Sequence, residues 1–184
     1  MIMIQYISSY IHICRKLFAA QVLIALSLSL VAQTPMFTTN AIALDGEQYI
    51  LANKGTKTVT IINKTGATIK KWAFNEPVTG LCKGKKTIYV TSSLDKGWLT
   101  AIDQPTGKIL YKKETGMGAR APLLNKDGSR IYILNQFKTT VSEVDALSGK
   151  VLREAKVLRE PVASAITPDE IGRASCRERV FRAV

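Results

Sequence analysis

The stretch Ile88–Glu114, "IYVTSSLDKGWLTAIDQPTGKILYKKE", contains three short segments of strand composition separated by turn residues. "IYVTS" is rich in β-branched and aromatic residues, as buried strands are, whereas "LTAID" alternates more, as a strand with two differently solvated faces does. Asp103 and Gly107 follow "LTAI". An aspartate that bonds its neighbouring backbone and a glycine free to adopt positive φ are typical of a hairpin turn. The stretch therefore predicts consecutive antiparallel strands.

The same pattern occurs twice more, once on each side of this stretch. "QYILANKGTKTVTIINKTGATIKKWAF" begins at Gln48 and "IYILNQFKTTVSEVDALSGKVLREAKV" begins at Ile131. Aligned columns recur about every 40 residues in the tyrosines, the turn residues, the turn glycines and the prolines: Tyr49, Tyr89, Tyr132; Asn63, Asp103, Asp145; Gly66, Gly107, Gly149; Pro77, Pro122, Pro161. We interpret the turn residues as structural, capping each hairpin.

A period of about 40 residues per four-stranded unit is that of a propeller blade. Each unit is expected to begin with its tyrosine-bearing strand, and its fourth strand begins after the proline. The sequence therefore predicts an all-β fold, a truncated β-propeller fragment of about three four-stranded antiparallel blades within residues 44–169.

Residues 1–43 differ in composition from the repeats. Arg15 and Lys16 precede an uncharged apolar run, and no acidic residue occurs before Asp45. This is the layout of a secretory signal peptide, so the chain is expected to be exported and to meet the membrane only through this segment. Ala41 and Ala43 form an A-x-A cleavage pattern, which makes cleavage after Ala43 the first choice and cleavage after Ala32 the second; an uncleaved anchor is the alternative.

"IYVTSS" with "AIDQPTGKIL" resembles the YVTN family of β-propeller repeats, over roughly residues 48–169. The middle unit is also similar to quinoprotein repeats, but Tyr111 stands where that family has tryptophan. The residues that match that repeat are Ala101, Asp103, Thr106, Gly107 and Lys108. The YVTN resemblance implies a propeller, and it implies further blades beyond Asp169. Residues 170–184 break the repeat: "IGRASCRERV" resembles a translated sequencing adapter and is expected to be an artefactual tail, with a genuine basic tail as the alternative.

Few residues of the repeat region carry chemistry. Cys82 is its only cysteine, and His12 lies in the leader, which leaves no haem motif, metal cluster or histidine base in residues 44–169. "GMGAR" (116–120) lacks the third glycine of a dinucleotide fingerprint and is expected to connect blades. Lysines such as those of "KGKK" (83–86) are expected to be solvated at hairpin tips, so the net charge of +12 does not indicate nucleic-acid binding.

These observations favour a non-catalytic binding or scaffold module of the periplasm or cell surface, with an unknown ligand or envelope partner and no cofactor. The alternative is the N-terminal part of a propeller enzyme, either lactonase-like or a quinoprotein or cytochrome-linked oxidoreductase, whose active-site residues follow Asp169. Trp72 and Trp98 are expected to pack between blades rather than against a ligand. No catalytic, cofactor-binding or metal-binding residue is assigned.

Overall fold

The computed structural model describes residues 38–157, 161–166, 172–176 and 180–182. The predicted leader up to residue 37, with Ala32, lies outside these residues, as does much of the predicted tail, so the predictions made there stay predictions. Within the described residues, none of the secondary structure is a helix long and apolar enough to cross a membrane. All the sheets belong to one unit, Phe37–Val184.

The described strands form three four-stranded sheets and one three-stranded sheet, all antiparallel. Sheet one contains the first four strands, sheet two the next four, sheet three the next four, and sheet four the last three. In chain order the strands are β1 (Thr39–Asp45), β2 (Gln48–Asn53), β3 (Thr58–Asn63), β4 (Thr68–Ala73), β5 (Val78–Lys83), β6 (Thr87–Ser93), β7 (Gly97–Asp103), β8 (Ile109–Glu114), β9 (Ala119–Leu124), β10 (Arg130–Asn135), β11 (Thr140–Asp145), β12 (Val151–Lys156), β13 (Pro161–Ile166), β14 (Gly172–Cys176) and β15 (Val180–Arg182).

Each sheet begins one strand earlier than the sequence repeat suggests. The strand that follows the proline opens the next sheet, where it pairs with the tyrosine-bearing strand, as β5 pairs with β6. The expectation that the tyrosine strand comes first was therefore wrong. The physical reason is that a repeat alignment fixes the period but not the strand at which a sheet breaks.

The first strands of successive sheets lie side by side. β1 contacts β5, β5 contacts β9, and β9 contacts β13, whereas the fourth strands β4, β8 and β12 are largely exposed. Side chains link the neighbouring inner strands: Asn40 Nδ2 donates to Val78 O at 3.1 Å, and Thr79 Oγ1 donates to Ala119 O at 2.5 Å. Asn40 and Thr79 both sit at β-bulges, which re-aim a side chain out of its strand. This arrangement of sheets is that of β-propeller blades.

Two apolar clusters fill the spaces between consecutive sheets. One cluster lies between sheets one and two, and it includes Ile50, Ile61, Ile88 and Val90. The other lies between sheets two and three. In β6, Ile88 and Val90 belong to the first cluster and Tyr89 to the second. Burial on both faces explains why "IYVTS" shows no polar alternation.

The tyrosine column of the sequence repeat is shifted by one residue in the first unit. Counted from the hairpin residues, Gln48 pairs with Asn63, Thr87 with Asp103 and Arg130 with Asp145. Ile50 is therefore the equivalent of Tyr89 and Tyr132, and Tyr49 is not. Because neighbouring residues of a strand face opposite sides, Ile50 is fully buried whereas Tyr49 is 38% exposed.

The proline column is also uneven. Pro77 directly precedes β5 and Pro161 is the first residue of β13, but Pro122 lies inside β9. Pro122 sits where the β9–β10 register shifts, so its missing N–H breaks no regular ladder.

Beyond the third unit, Gly172–Cys176 and Val180–Arg182 run as strands antiparallel to β13 and β14 respectively.

Candidate functional site

The six predicted turn residues lie in the β3–β4, β7–β8 and β11–β12 hairpins. In each hairpin the first residue accepts a hydrogen bond on its side-chain oxygen from a backbone N–H. The distances are 3.1 Å to Asn63 Oδ1, 3.0 Å to Asp103 Oδ2 and 2.9 Å to Asp145 Oδ1. The glycines adopt left-handed φ: Gly66 +84°, Gly107 +78° and Gly149 +70°. In all three hairpins the donor is the residue directly before the glycine, and the glycine has a left-handed φ, so these six residues shape the turns.

The hairpin carboxylates are stabilised in their charged form. Hydrogen bonds from the Thr106 hydroxyl and then its N–H hold the pKa of Asp103 below its ordinary value. Bonds from Ser148 act in the same way on the pKa of Asp145, and bonds from Ser129 on that of Asp127. A carboxylate with a lowered pKa is a poor proton acceptor near neutral pH, so these groups suit capping rather than acid–base chemistry.

Side chains of the outer strands reach the hairpin of the next sheet. Trp72 of β4 donates its Nε1–H to Gly107 O at 3.0 Å, which places this indole between sheets one and two. Tyr111 of β8 donates its hydroxyl to Ala146 O at 2.8 Å. Trp98 instead lies beneath the Lys112 ammonium, 4.7 Å from the ring centre. The hairpins are thus part of the contact between adjacent sheets.

A cavity of about 360 Å³ opens between sheets one and two, at the end of the sheets that carries these hairpins. Its volume lies within the range of small-molecule sites. Three lysines, two glutamines and one aspartate form its polar lining, and two isoleucines and a proline its apolar lining: Lys70, Lys85, Lys86, Gln48, Gln104, Asp45, Ile61, Ile69 and Pro105. This cavity is the candidate ligand site.

The single carboxylate of the cavity is already paired. Asp45 Oδ1 lies 2.9 Å from Lys83 Nζ, and Gln104 Nε2 donates to Asp45 Oδ2. The bond from Lys83, followed by that from Gln104, holds the pKa of Asp45 below its ordinary value. Lys70 Nζ donates to Gln104 O at 2.8 Å and to Pro105 O at 2.7 Å. These bonds fix the Lys70 charge without neutralising it.

Sequence reasoning did not find this cavity. It placed the lysines of "KGKK" at a solvated hairpin tip, and Lys85 and Lys86 are indeed exposed in the β5–β6 turn. By register, Lys70 corresponds to Tyr111 in the second unit and to Arg153 in the third. Because this column of the repeat varies between units, the sequence carried no signal for the cavity.

The other candidates for chemistry have structural surroundings. Cys82 packs against the cluster between sheets two and three, and burial raises the pKa of its thiol to about 12, so it is not a reactive thiolate. Residues 115–118, with the glycines of "GMGAR", connect β8 to β9, as expected of a link between blades. In the described ranges no three His, Cys, Asp or Glu side chains are grouped to hold a metal ion.

The two predicted cleavage residues lie within the folded part. Ala41 and Ala43 belong to β1, where they pair with Ala52 and Ile50, and both pack against the cluster between sheets one and two. β1 is thus an integral strand of the first sheet.

Comparison of the sequence with family models and with curated proteins finds no match. Solved structures do resemble the fold. Hydrazine synthase of Kuenenia stuttgartiensis aligns with a TM-score of 0.67 at 16% identity, over 78% of this chain and 44% of that chain. A Bacteroides caccae protein of unknown function aligns with a TM-score of 0.63 at 16% identity, over 80% and 61%.

A computationally designed protein, Ika4, aligns with a TM-score of 0.67 at 14% identity, over 82% of this chain and 94% of the designed chain. This chain therefore spans less than two thirds of the two natural proteins and nearly all of the designed one. At these identities the likeness shows the fold alone. Together with the succession of four-stranded sheets, it establishes an all-β, β-propeller-like architecture.

Proposed function

We propose that this chain is an exported β-propeller repeat module of the YVTN type, which binds a ligand or partner at the periplasm or cell surface without transforming it. The observation that carries the proposal is the cavity between sheets one and two. Its polar lining consists mainly of ammonium and amide groups, which donate hydrogen bonds. Its one carboxylate, Asp45, is held by Lys83 and Gln104 and is a poor general base.

The export half of the proposal rests on the composition of residues 1–37, and β1 refines the cleavage position. Cleavage after Ala43 would remove most of β1 and with it the Ala41 and Ala43 contacts to the core. Cleavage after Ala32 would leave the first sheet whole. We therefore place the processing site before β1, at the second of the two candidates.

The test is expression of the full chain in a bacterium with an outer membrane, followed by cell fractionation and N-terminal sequencing. We expect periplasmic or surface-bound protein whose sequence begins at Gln33. Protein retained in the cytoplasm would contradict export, and an N-terminus at Leu44 would contradict the proposed processing site.

The alternative enzyme function finds its nearest support in the fold shared with hydrazine synthase, which at 16% identity concerns architecture only. The two functions differ in what happens to a bound compound. A binding module returns its ligand unchanged after prolonged incubation, whereas a hydrolase or oxidoreductase returns a product. Mass spectrometry of the recovered ligand therefore separates them.

A further inference from the structure

We propose that the cavity between sheets one and two binds a small organic oxyanion, a carboxylate or a phosphate, through Lys70, Lys85 and Lys86. The inference rests on the proposed binding function, because it names the ligand class of that same site. Three features of the cavity support it: a lysine where the next boundary between sheets has an aromatic ring, an excess of positive charge, and an apolar wall beside that charge.

The first feature is the difference between Lys70 and the residue at the same register position of the next sheet, Tyr111. At the boundary of sheets two and three, its register equivalent Tyr111 lies against Gly149 and donates to Ala146 O. At the boundary of sheets one and two, Lys70 bonds the equivalent carbonyl of Gln104. Lys70 thus keeps the contact between the sheets, but it places a flexible charged side chain where the next boundary has the Tyr111 ring. The third unit has Arg153 at the same register position, so this column of the repeat holds a ring in one unit and a cation in the other two.

The second feature is the charge of the cavity. Lys83 is paired with Asp45, and Lys70 is held only by neutral carbonyls. Within the part of the chain that the structure describes, the ammonium groups of Lys85 and Lys86 form no hydrogen bond or ion pair. A further carboxylate close to these lysines is Asp103, whose pKa is lowered first by its Thr106 bonds and more weakly by the fields of Lys70 and Lys86. Asp103 Oδ2 accepts hydrogen bonds from Thr106 and, among the described residues, none from a lysine, so the lysines remain available to an anion.

The third feature is the wall that would contact the rest of the ligand. The apolar part of the cavity lining consists of Ile61, Ile69 and Pro105. Ile69 is 46% exposed, although it is a large apolar residue. A bare inorganic ion would leave this surface in water, whereas a sugar acid or sugar phosphate would cover it while its charged group meets the lysines.

The experiment is isothermal titration calorimetry on the full chain at low salt with D-glucuronate, D-glucose 6-phosphate and neutral D-glucose. We expect at least one anion to bind and glucose to bind at least ten-fold more weakly. Preference for glucuronate would assign a carboxylate source, and preference for glucose 6-phosphate a phosphate source. Equal binding of glucose, or binding of neither anion, would overturn the inference.

Two variants place the binding in the cavity. Lys85→Gln with Lys86→Gln should weaken anion binding at least ten-fold. The matched control, Lys126→Gln with Lys150→Gln, removes the same charge from exposed turns of sheet three at the same end of the sheets and should change binding less than two-fold. Equal losses in both variants would show general charge attraction and contradict a site.

Lys70→Tyr is the second variant, and it copies the residue found at the next boundary. It should preserve the unfolding midpoint, because Tyr111 makes the equivalent contact, and it should abolish anion binding. Unchanged binding in a folded Lys70→Tyr protein would overturn the inference. An exported chain that binds no anion contradicts only the ligand class, whereas a cytoplasmic chain that binds the anion contradicts only the proposed location.

Discussion

The hairpin glycines hold backbone conformations that other residues adopt at a cost. Gly107 and Gly149 have φ near +78° and +70°, but their surroundings differ. A Cβ on Gly107 would lie 3.7 Å from the Trp72 ring, an ordinary contact, whereas a Cβ on Gly149 would lie 2.6 Å from the Tyr111 ring. Equivalent turns therefore differ in how well they accept a side chain at the glycine, because the aromatic residue packed against that glycine differs.

We expect Gly107→Ala to lower the free energy of unfolding by about 1–2 kcal/mol, the usual cost of a left-handed conformation. Gly149→Ala should cost more, because its Cβ also displaces Tyr111. Gly107→Asn should cost less than Gly107→Ala, since asparagine tolerates this region. Urea unfolding followed by circular dichroism measures all three, and equal losses at both glycines would contradict the packing at Gly149.

Several carboxylates of the hairpins make the stability of the folded protein depend on pH. Asp45, Asp103, Asp127 and Asp145 have pKa values lowered by hydrogen bonds that form only in the folded chain. A lowered folded pKa stabilises the protein at pH values above the unfolded pKa, and this stabilisation is lost as the pH falls through the folded value.

The urea midpoint should therefore be constant near neutral pH and fall below about pH 4, where aspartate protonates in the unfolded chain. Asp103→Asn combined with Asp145→Asn should make this fall shallower. Asp95→Asn is the control, since Asp95 makes no hydrogen bond within the described residues. A midpoint that rises on acidification would contradict the assignment.

For the strands, the sequence shows which segments pair with each other but not which strands belong to the same sheet. Turn chemistry at Asp103–Gly107 and the β-branched run of β6 predict strands that the structure contains. The sequence did not reveal that a new sheet begins at β5, because the composition of β5 is compatible with pairing to β4 or to β6. The alignment of Tyr49 with Tyr89 and Tyr132 was wrong, because a tyrosine near the start of a strand is compatible with either face of the sheet. Only the register counted from Asn63 shows that Ile50 faces the core.

This register gives a direct test on neighbouring residues. Ile50→Ala should lower the free energy of unfolding by about 3 kcal/mol, since it empties a fully buried site in the cluster between sheets one and two. Tyr49→Ala should cost less than about 1 kcal/mol, because its side chain lies on the other face and is partly exposed. The reverse order of losses would restore the alignment of Tyr49 with Tyr89.

The whole molecule repeats one packing arrangement from sheet to sheet. On sheet two, the face toward sheet one buries Leu81 and Ile88. The register equivalents on sheet one are Ile42 and Tyr49, which lie on the face that no described sheet covers. Ile42 is 63% exposed and its neighbour Leu44 is 68% exposed. Apolar faces of this kind promote association.

We expect the purified chain to self-associate as its concentration rises, because two apolar faces can cover one another. Ile42→Lys with Leu44→Lys should shift sedimentation equilibrium toward the monomer. Leu147→Lys, at an isolated turn residue that is 91% exposed, should leave the equilibrium unchanged. Identical behaviour of both variants would contradict association through this face.

In the structure, each strand that follows a connection between sheets is the inner strand of the next sheet. The decisive measurement is a crystal structure of the full chain. We predict that Val78–Lys83 pairs with Thr87–Ser93 and lies beside Ala119–Leu124 at the inner edges of sheets two and three. Pairing of Val78–Lys83 with Thr68–Ala73, as the outer strand of sheet one, would overturn this assignment of strands to sheets.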